Sequence, residues 1–188
     1  MEAFLVSATV VAVGEIGDKT QLLALLLAAR FRRPVPILFG ILGATLLNHT
    51  LAGLLGEWIR TAVSPGVLRW SLALSFLAIA AWALRPDELD QQPRDIGRYG
   101  AFAITFVAFF LAEIGDKTQL ATVALAARFD SLAAVVAGTT TGMLIADTPA
   151  VFLAEKASLR IPFKTVRYIA AALFAAMGIA VLTGFGFV

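Results

Sequence analysis

The sequence predicts an all-α polytopic membrane protein of six transmembrane helices, arranged as two inverted three-helix repeats. Three observations carry that prediction. Of 188 residues, 60% are hydrophobic and only 15% are charged, against about 25% charged and 45–50% apolar in a soluble domain. The apolar residues fall into runs of about 20, the length that crosses a bilayer. The two halves of the chain repeat each other. A soluble enzyme, a nucleic-acid-binding domain and a disordered chain are excluded by composition. The net charge of +2 is too small to suggest a polyanion partner, cysteine is absent, and a single His argues against a His-rich zinc or copper site.

The six spans are 3–29, 35–59, 66–84, 99–127, 132–154 and 165–186. Arginine and proline clusters separate them: Arg30–Phe31–Arg32–Arg33–Pro34, Ser64–Pro65–Gly66 and Arg160–Ile161–Pro162. The one long polar stretch, Arg85 to Arg98, reads as a solvated linker. The organisation is therefore 1–86 as the first repeat, 87–97 as a cytoplasmic linker and 98–188 as the second repeat. The first span carries ionisable residues at its middle and no basic residues before it, unlike a signal peptide.

A shift of 98 residues, without gaps, lays Glu15-Ile16-Gly17-Asp18-Lys19-Thr20-Gln21-Leu22 on Glu113-Ile114-Gly115-Asp116-Lys117-Thr118-Gln119-Leu120. The same shift pairs Gly40 with Gly138, Thr50 with Thr148 and His49 with Asp147. Each half has an odd number of spans, so the second enters the membrane upside down, as in many secondary transporters. Arg30, Arg32, Arg33, Arg85, Arg94, Arg98, Lys156, Arg160, Lys164 and Arg167 fall on one side of the membrane, against Arg60, Arg69 and Arg128 on the other. That bias predicts both termini outside and the linker in the cytoplasm.

Glu15, Asp18, Lys19, Glu113, Asp116, Lys117, His49 and Asp147 all fall within spans. Each charge at the bilayer centre costs at least about 2.5–3.5 kcal/mol, so eight such groups point to function. Glu15 and Asp18 are three apart, so both carboxylates project from one helical face. Thr20 and Gln21 follow within a turn and add neutral oxygens; Thr118 and Gln119 do so in the second half. Glu15, Asp18, Gln21, Glu113, Asp116 and Gln119 form an oxygen-only candidate site suited to Ca²⁺, Mn²⁺ or Mg²⁺. Protons and a divalent cation would compete for its carboxylates, and competition at one site is the basis of antiport. Lys19 and Lys117, with Thr20, Thr118, Asn48, His49 and Asp147, are candidates for gating or proton coupling.

Simpler readings exist. Glu15–Lys19 and Glu113–Lys117 are each four apart and could be internal salt bridges. His49 beside Asn48 could be a buried, hydrogen-bonded core residue or a proton relay. Asp147 before Thr148–Pro149 could serve transport or fill a local kink. Gly14, Gly17 and Gly115 beside the acids permit close packing or local unwinding, and a tilt or break near the motif would fit first and fourth spans of about 27–29 residues. Gly138-x-x-x-Gly142 offers a small-residue packing face. Gly14-x-x-Gly17-Asp18-Lys19-Thr20 is not a phosphate-binding loop, because an Asp stands where the second glycine belongs.

The two Glu-x-Gly-Asp-Lys-Thr-Gln motifs, one per half, resemble those of the Gdt-type cation/proton antiporters, which include the Golgi transmembrane protein 165 group and bacterial manganese exporters. The resemblance covers essentially the whole chain. It implies Mn²⁺ export, or Ca²⁺ and Mn²⁺ movement in eukaryotic relatives, against protons, with motif acids at Glu15, Asp18, Glu113 and Asp116. It implies no cofactor beyond the transported Mn²⁺ or Ca²⁺, bound transiently. The expected partners are that cation, protons and the lipid bilayer, with no nucleic acid; a homo-oligomer is compatible with the sequence. The short termini look bacterial or organellar rather than Golgi-type, and the expected location is a bacterial plasma membrane. The competing functions are export of a small organic cation, such as a basic amino acid, and a membrane assembly factor without transport activity.

Overall fold

A computed structural model describes residues 1–85, 100–153 and 163–184. The linker 87–97, Arg94, Arg98, Lys156 and the Arg160–Ile161–Pro162 break lie outside them. Eight helices make up the described residues: α1 (Glu2–Glu15), α2 (Lys19–Phe31), α3 (Pro34–Ala62), α4 (Pro65–Ala83), α5 (Ala101–Glu113), α6 (Lys117–Arg128), α7 (Leu132–Leu153) and α8 (Phe163–Thr183). The sequence predicts six spans, with a tilt or break near the motif fitting the first and fourth. The difference lies in the motifs, each of which breaks its span in two. Three helices, α3, α4 and α7, are long and apolar enough to cross a bilayer by themselves.

The helix boundaries have local causes. Arg32 adopts a left-handed conformation (φ 50°) and returns its N–H to the Ala28 carbonyl, closing α2. Pro34 and Pro65 occupy first-turn positions of α3 and α4, where a missing N–H costs nothing. Arg69 of α4 donates to the carbonyls of Val181 (3.1 Å) and Leu182, at the C-terminal end of α8. A cation there satisfies orphan carbonyls and complements the helix dipole.

Each broken pair lies along the unbroken helix of the other half. α7 packs on both α1 and α2, and α3 packs on both α5 and α6. Glycines set these contacts. A Cβ on Gly138 would come within 2.5 Å of the Phe4 carbonyl and 2.9 Å of Ser7 Cβ; one on Gly40 would come within 2.9 Å of the Phe102 carbonyl and 2.7 Å of Thr105 Cβ. These are repeat-equivalent contacts, since Phe102 and Thr105 stand 98 residues after Phe4 and Ser7. Gly142, on the predicted packing face, likewise meets the backbone of Ala8 and Ala12. The register is parallel. Along α3, Gly40 meets Phe102 and Thr105, Gly43 meets Phe106, and Asn48 bonds the Phe110 carbonyl. Along α7, Gly138 and then Gly142 climb α1 in the same order.

Polarity runs opposite to that of a soluble protein. Leu51, Leu54, Leu55 and Trp58 of α3 are exposed, as are Trp70 and Tyr168. Glu15, Glu113, His49 and Asp147 are fully buried. Apolar side chains outward and ionisable ones inward suit a hydrocarbon solvent.

Candidate metal centre

The two breaks are the same turn. Glu15 ends α1, Ile16 has φ −61° and ψ 116°, Gly17 has φ 83°, and the Asp18 N–H donates to the Glu15 carbonyl at 2.9 Å. Ile114 has φ −61° and ψ 119°, Gly115 has φ 76°, and Asp116 N–H donates to Glu113 O at 3.1 Å. Both are type II turns, which require a positive φ at the third position and hence favour glycine there. Asp18 and Asp116 then stand at the N-caps of α2 and α6. The glutamines close the loop: Gly17 N–H donates to Gln21 Oε1 (2.9 Å) and Gly115 N–H to Gln119 Oε1 (2.7 Å).

These turns correct two sequence readings. Glu15 and Asp18 do not share a helix face, because one ends a helix and the other caps the next. The four-residue spacing of Glu15 and Lys19 is likewise not a helical spacing, since the turn lies between them. The lysines reach across to the opposite half instead. Lys19 Nζ lies 3.1 Å from Asp116 Oδ1, and Lys117 Nζ lies 3.0 Å from Asp18 Oδ1. The two pairs differ in exposure: the Lys19 side chain is 26% exposed and that of Lys117 is 4% exposed.

Glu15, Glu113 and Asp116 converge, with one oxygen from each lying within 4.8 Å of the others, all buried. The Thr20 hydroxyl donates to Glu15 Oε2, and the Thr118 hydroxyl contacts Glu113 Oε2 (3.3 Å) and Asp116 Oδ2 (3.4 Å). Oε1 of Glu15 and Oε1 of Glu113 have no hydrogen-bond partner among the described residues. Buried carboxylate oxygens without donors are unfavourable unless a cation or a proton occupies them. The donor set, carboxylates with hydroxyls nearby, fits a hard divalent ion.

The remaining sequence candidates surround this cluster. Asp18 is joined to it through the opposite lysine rather than as a member of the close trio. Gln21 is buried and Gln119 half-buried; each holds its turn through Oε1, and Gln21 Nε2 also donates to the Ala146 carbonyl of α7 (2.9 Å). That bond sets Asp147 in register with the first break. Asn48 donates to the Phe110 carbonyl (3.0 Å), which sets His49 in register with the second break. Sequence reading passed over Ser7 and Thr105, repeat-equivalent hydroxyls that are buried where α1 meets α7 and α5 meets α3. Their signal was their position in the repeat.

Across residues 3–91 and 101–185 the sequence matches the family described as divalent cation/proton antiporter GDT1. The chain belongs to the GDT1 family. Among its GDT1-type relatives, it is 48% identical over 181 residues to a Vibrio cholerae protein named "Putative manganese exporter", covering 96% of this chain and 90% of that one. It is 29% identical to GDT1-like protein sll0615 of Synechocystis, over 93% of each chain. It is 28% identical to GDT1-like protein 3 of rice, over 92% of this chain and 71% of the relative. No solved structure matches it. Membership makes this a membrane transporter of the antiporter class, in keeping with its apolar helices and its inward-facing acids.

Proposed function

We propose that this GDT1 chain exports Mn²⁺ from the bacterial cytoplasm in exchange for protons, by alternating access at the junction of its two motifs. The observation that carries the reading is the convergence of Glu15, Glu113 and Asp116 from opposite halves, with one oxygen on each glutamate unpartnered among the described residues. A cation held there is bound by both repeats at once, so moving one repeat against the other opens the site to one side or the other. The manganese assignment is supported by the printed name of the Vibrio cholerae relative; Ca²⁺ is the alternative cargo for the same oxygens.

In this reading the eight helices make six crossings, with α1–α2 and α5–α6 as broken spans. The inverted repeat is supported by register. α2 and α3 are joined by two residues as a hairpin, so α3 turns back against the first span. α5 runs parallel to α3, and therefore opposite to α1. The loop charges argue for both termini outside and the linker in the cytoplasm.

The chemistry needs no resident cofactor. Four motif carboxylates and two lysines sum to two negative charges, which one divalent ion balances. Lys19 and Lys117 neutralise Asp116 and Asp18 when the repeats are closed on each other. Opening one side separates one pair and frees its acid for the ion. Protons then occupy the carboxylates on the return step. The Lys117–Asp18 pair is the more deeply buried of the two.

The test is Mn²⁺ uptake into proteoliposomes under an imposed pH gradient, with Ca²⁺ and Mg²⁺ run separately. The expected result is gradient-driven Mn²⁺ uptake accompanied by proton movement in the opposite direction. Uptake that ignores the gradient overturns the reading.

A further inference from the structure

The two motifs are identical over eight residues, but they are fastened differently. In both, the glutamine Oε1 accepts the glycine N–H of its own turn. Gln21 goes further. Its Nε2 donates to the Ala146 carbonyl of α7, 2.9 Å away in the opposite half. Gln119, among the described residues, makes only the bond to its own turn.

The unbroken helices explain the difference. On α3 the position equivalent to Ala146 is Asn48, whose side chain bonds the Phe110 carbonyl of α5. Further along α3, Gly56 lets α6 come close: a Cβ there would lie 2.2 Å from the Val123 carbonyl and 2.9 Å from Ala126 Cβ. Gly53 likewise approaches Ala126. The helix after the second break is thus held on the opposite half by glycine packing. A shift of 98 puts Val151 and Ala154 where α7 would need those glycines. The helix after the first break, α2, lacks that grip, and Gln21 supplies a hydrogen bond instead. Gln21 is 7% exposed, and a buried amide donor is unfavourable to leave unpaired.

We infer that Gln21 is a positioning residue, which ties the turn of the first motif to α7 and so holds Glu15 beside Glu113 and Asp116. The inference rests on the cation-transport reading above and gives Gln21 a role other than that of an ion ligand. The trio takes one acid from the first half and two from the second. Glu15 is therefore the ligand that must be held across the boundary between the halves. It stands two residues before Gly17, whose N–H Gln21 accepts. Thr20, the neighbour of Gln21, donates to Glu15 Oε2. The turn of α2 that bonds α7 thus also bonds the acid. Groups that orient a metal ligand in this way contribute about 10–100-fold to affinity.

The test compares Gln21→Glu with Gln119→Glu in the full chain, purified and titrated with Mn²⁺ alone. Each variant keeps an oxygen for its glycine N–H and adds the same charge at repeat-equivalent places. The difference between them therefore reports the bond to Ala146. Free Mn²⁺, read by electron paramagnetic resonance, gives the affinity. Gln21→Glu should bind Mn²⁺ about tenfold or more weakly than Gln119→Glu. If Gln21 Oε1 were an ion ligand, the new carboxylate would tighten binding instead. Equal or tighter binding in Gln21→Glu overturns the inference. Gln21→Met and Gln119→Met, of similar length without a donor, give the same comparison if the glutamate variants do not fold. A second measurement needs no variant of Gln21. In wild-type protein labelled with ¹⁵N-glutamine, the Gln21 side-chain amide should exchange protons with water at least about tenfold more slowly than that of Gln119. Equal rates overturn the tie. If the slow exchange is found but wild-type protein binds no Mn²⁺, the transport reading falls and the tie stands. If proteoliposomes exchange Mn²⁺ for protons while the two amides exchange alike, the tie falls and the transport reading stands.

Discussion

Lys117 of the second motif lies 3.0 Å from Asp18 of the first, and Lys19 returns the pairing to Asp116 at 3.1 Å. The motif is thus half of a reciprocal lock, in which each copy supplies the acid that the other's lysine needs. A lysine in a hydrocarbon-surrounded core is tolerated only beside such a partner.

The lock can be tested by cutting each half. Asp18→Asn and Asp116→Asn should both abolish cation transport while the chain still inserts, because the amide keeps the size and loses the charge. Asp18→Asn should be the more destabilising, since Lys117 is sealed from solvent; removing one partner of a buried pair costs about 3–5 kcal/mol. The double variant Asp18→Asn/Lys117→Gln should regain much of that loss. Thermal unfolding of the purified variants checks both. Equal stability of Asp18→Asn and the double variant would show that the pair carries no coupling.

Gly17 and Gly115 take positive φ in both turns. Gly17→Ala or Gly115→Ala places a Cβ where it is strained, at about 1–2 kcal/mol each. Asn tolerates the left-handed conformation better, so Gly17→Asn should be milder than Gly17→Ala. Melting temperatures and transport rates of the set should follow the order Gly, Asn, Ala. If Ala is as good as Gly, the break is not maintained as a type II turn.

Gly40 and Gly138 should fail alike. A Val at either position drives a side chain into the backbone carbonyl of Phe102 or Phe4. Gly40→Val and Gly138→Val should each lower stability by roughly 1–3 kcal/mol, as overpacking does. Thermal scans of the two would read it. A large loss in one and none in the other would contradict the matched contacts of the two halves.

Transport should rise with pH on the side from which the cation loads. A protonated carboxyl of Glu15, Glu113 or Asp116 cannot serve as an anionic ligand, so lowering the loading-side pH removes ligands. Lowering the pH on the far side supplies the exchanging protons and should speed release. Asp18 adds negative charge beside the same centre, and Lys19 and Lys117 offset it. Initial Mn²⁺ uptake measured with the two pH values varied independently checks the sign. Uptake that falls as the loading-side pH rises would be the wrong sign for competition.

The duplication, the helical class, the buried acids and the family resemblance were legible in the residues, because eight identical residues 98 positions apart and charges inside apolar runs are local facts about the chain. The clustering of acids from the two motifs followed from the repeat, and Glu15, Glu113 and Asp116 do come together. The breaks themselves were less visible: Glu-Ile-Gly-Asp reads as helix when its neighbours are apolar, yet the same four residues spell a type II turn once φ at the glycine is known. Partner choice was not legible at all. Spacing offers Lys19 a glutamate in its own motif, but the turn takes that acid off the helix, and close approach through Gly40 and Gly138 delivers the opposite aspartate instead. The sequence by itself determined which groups had to be buried in the membrane. Only the tertiary structure decided which of them neutralise one another, because a charge in a low-dielectric core is held by whatever packing brings within about 3–4 Å, and packing is a property of all the helices together.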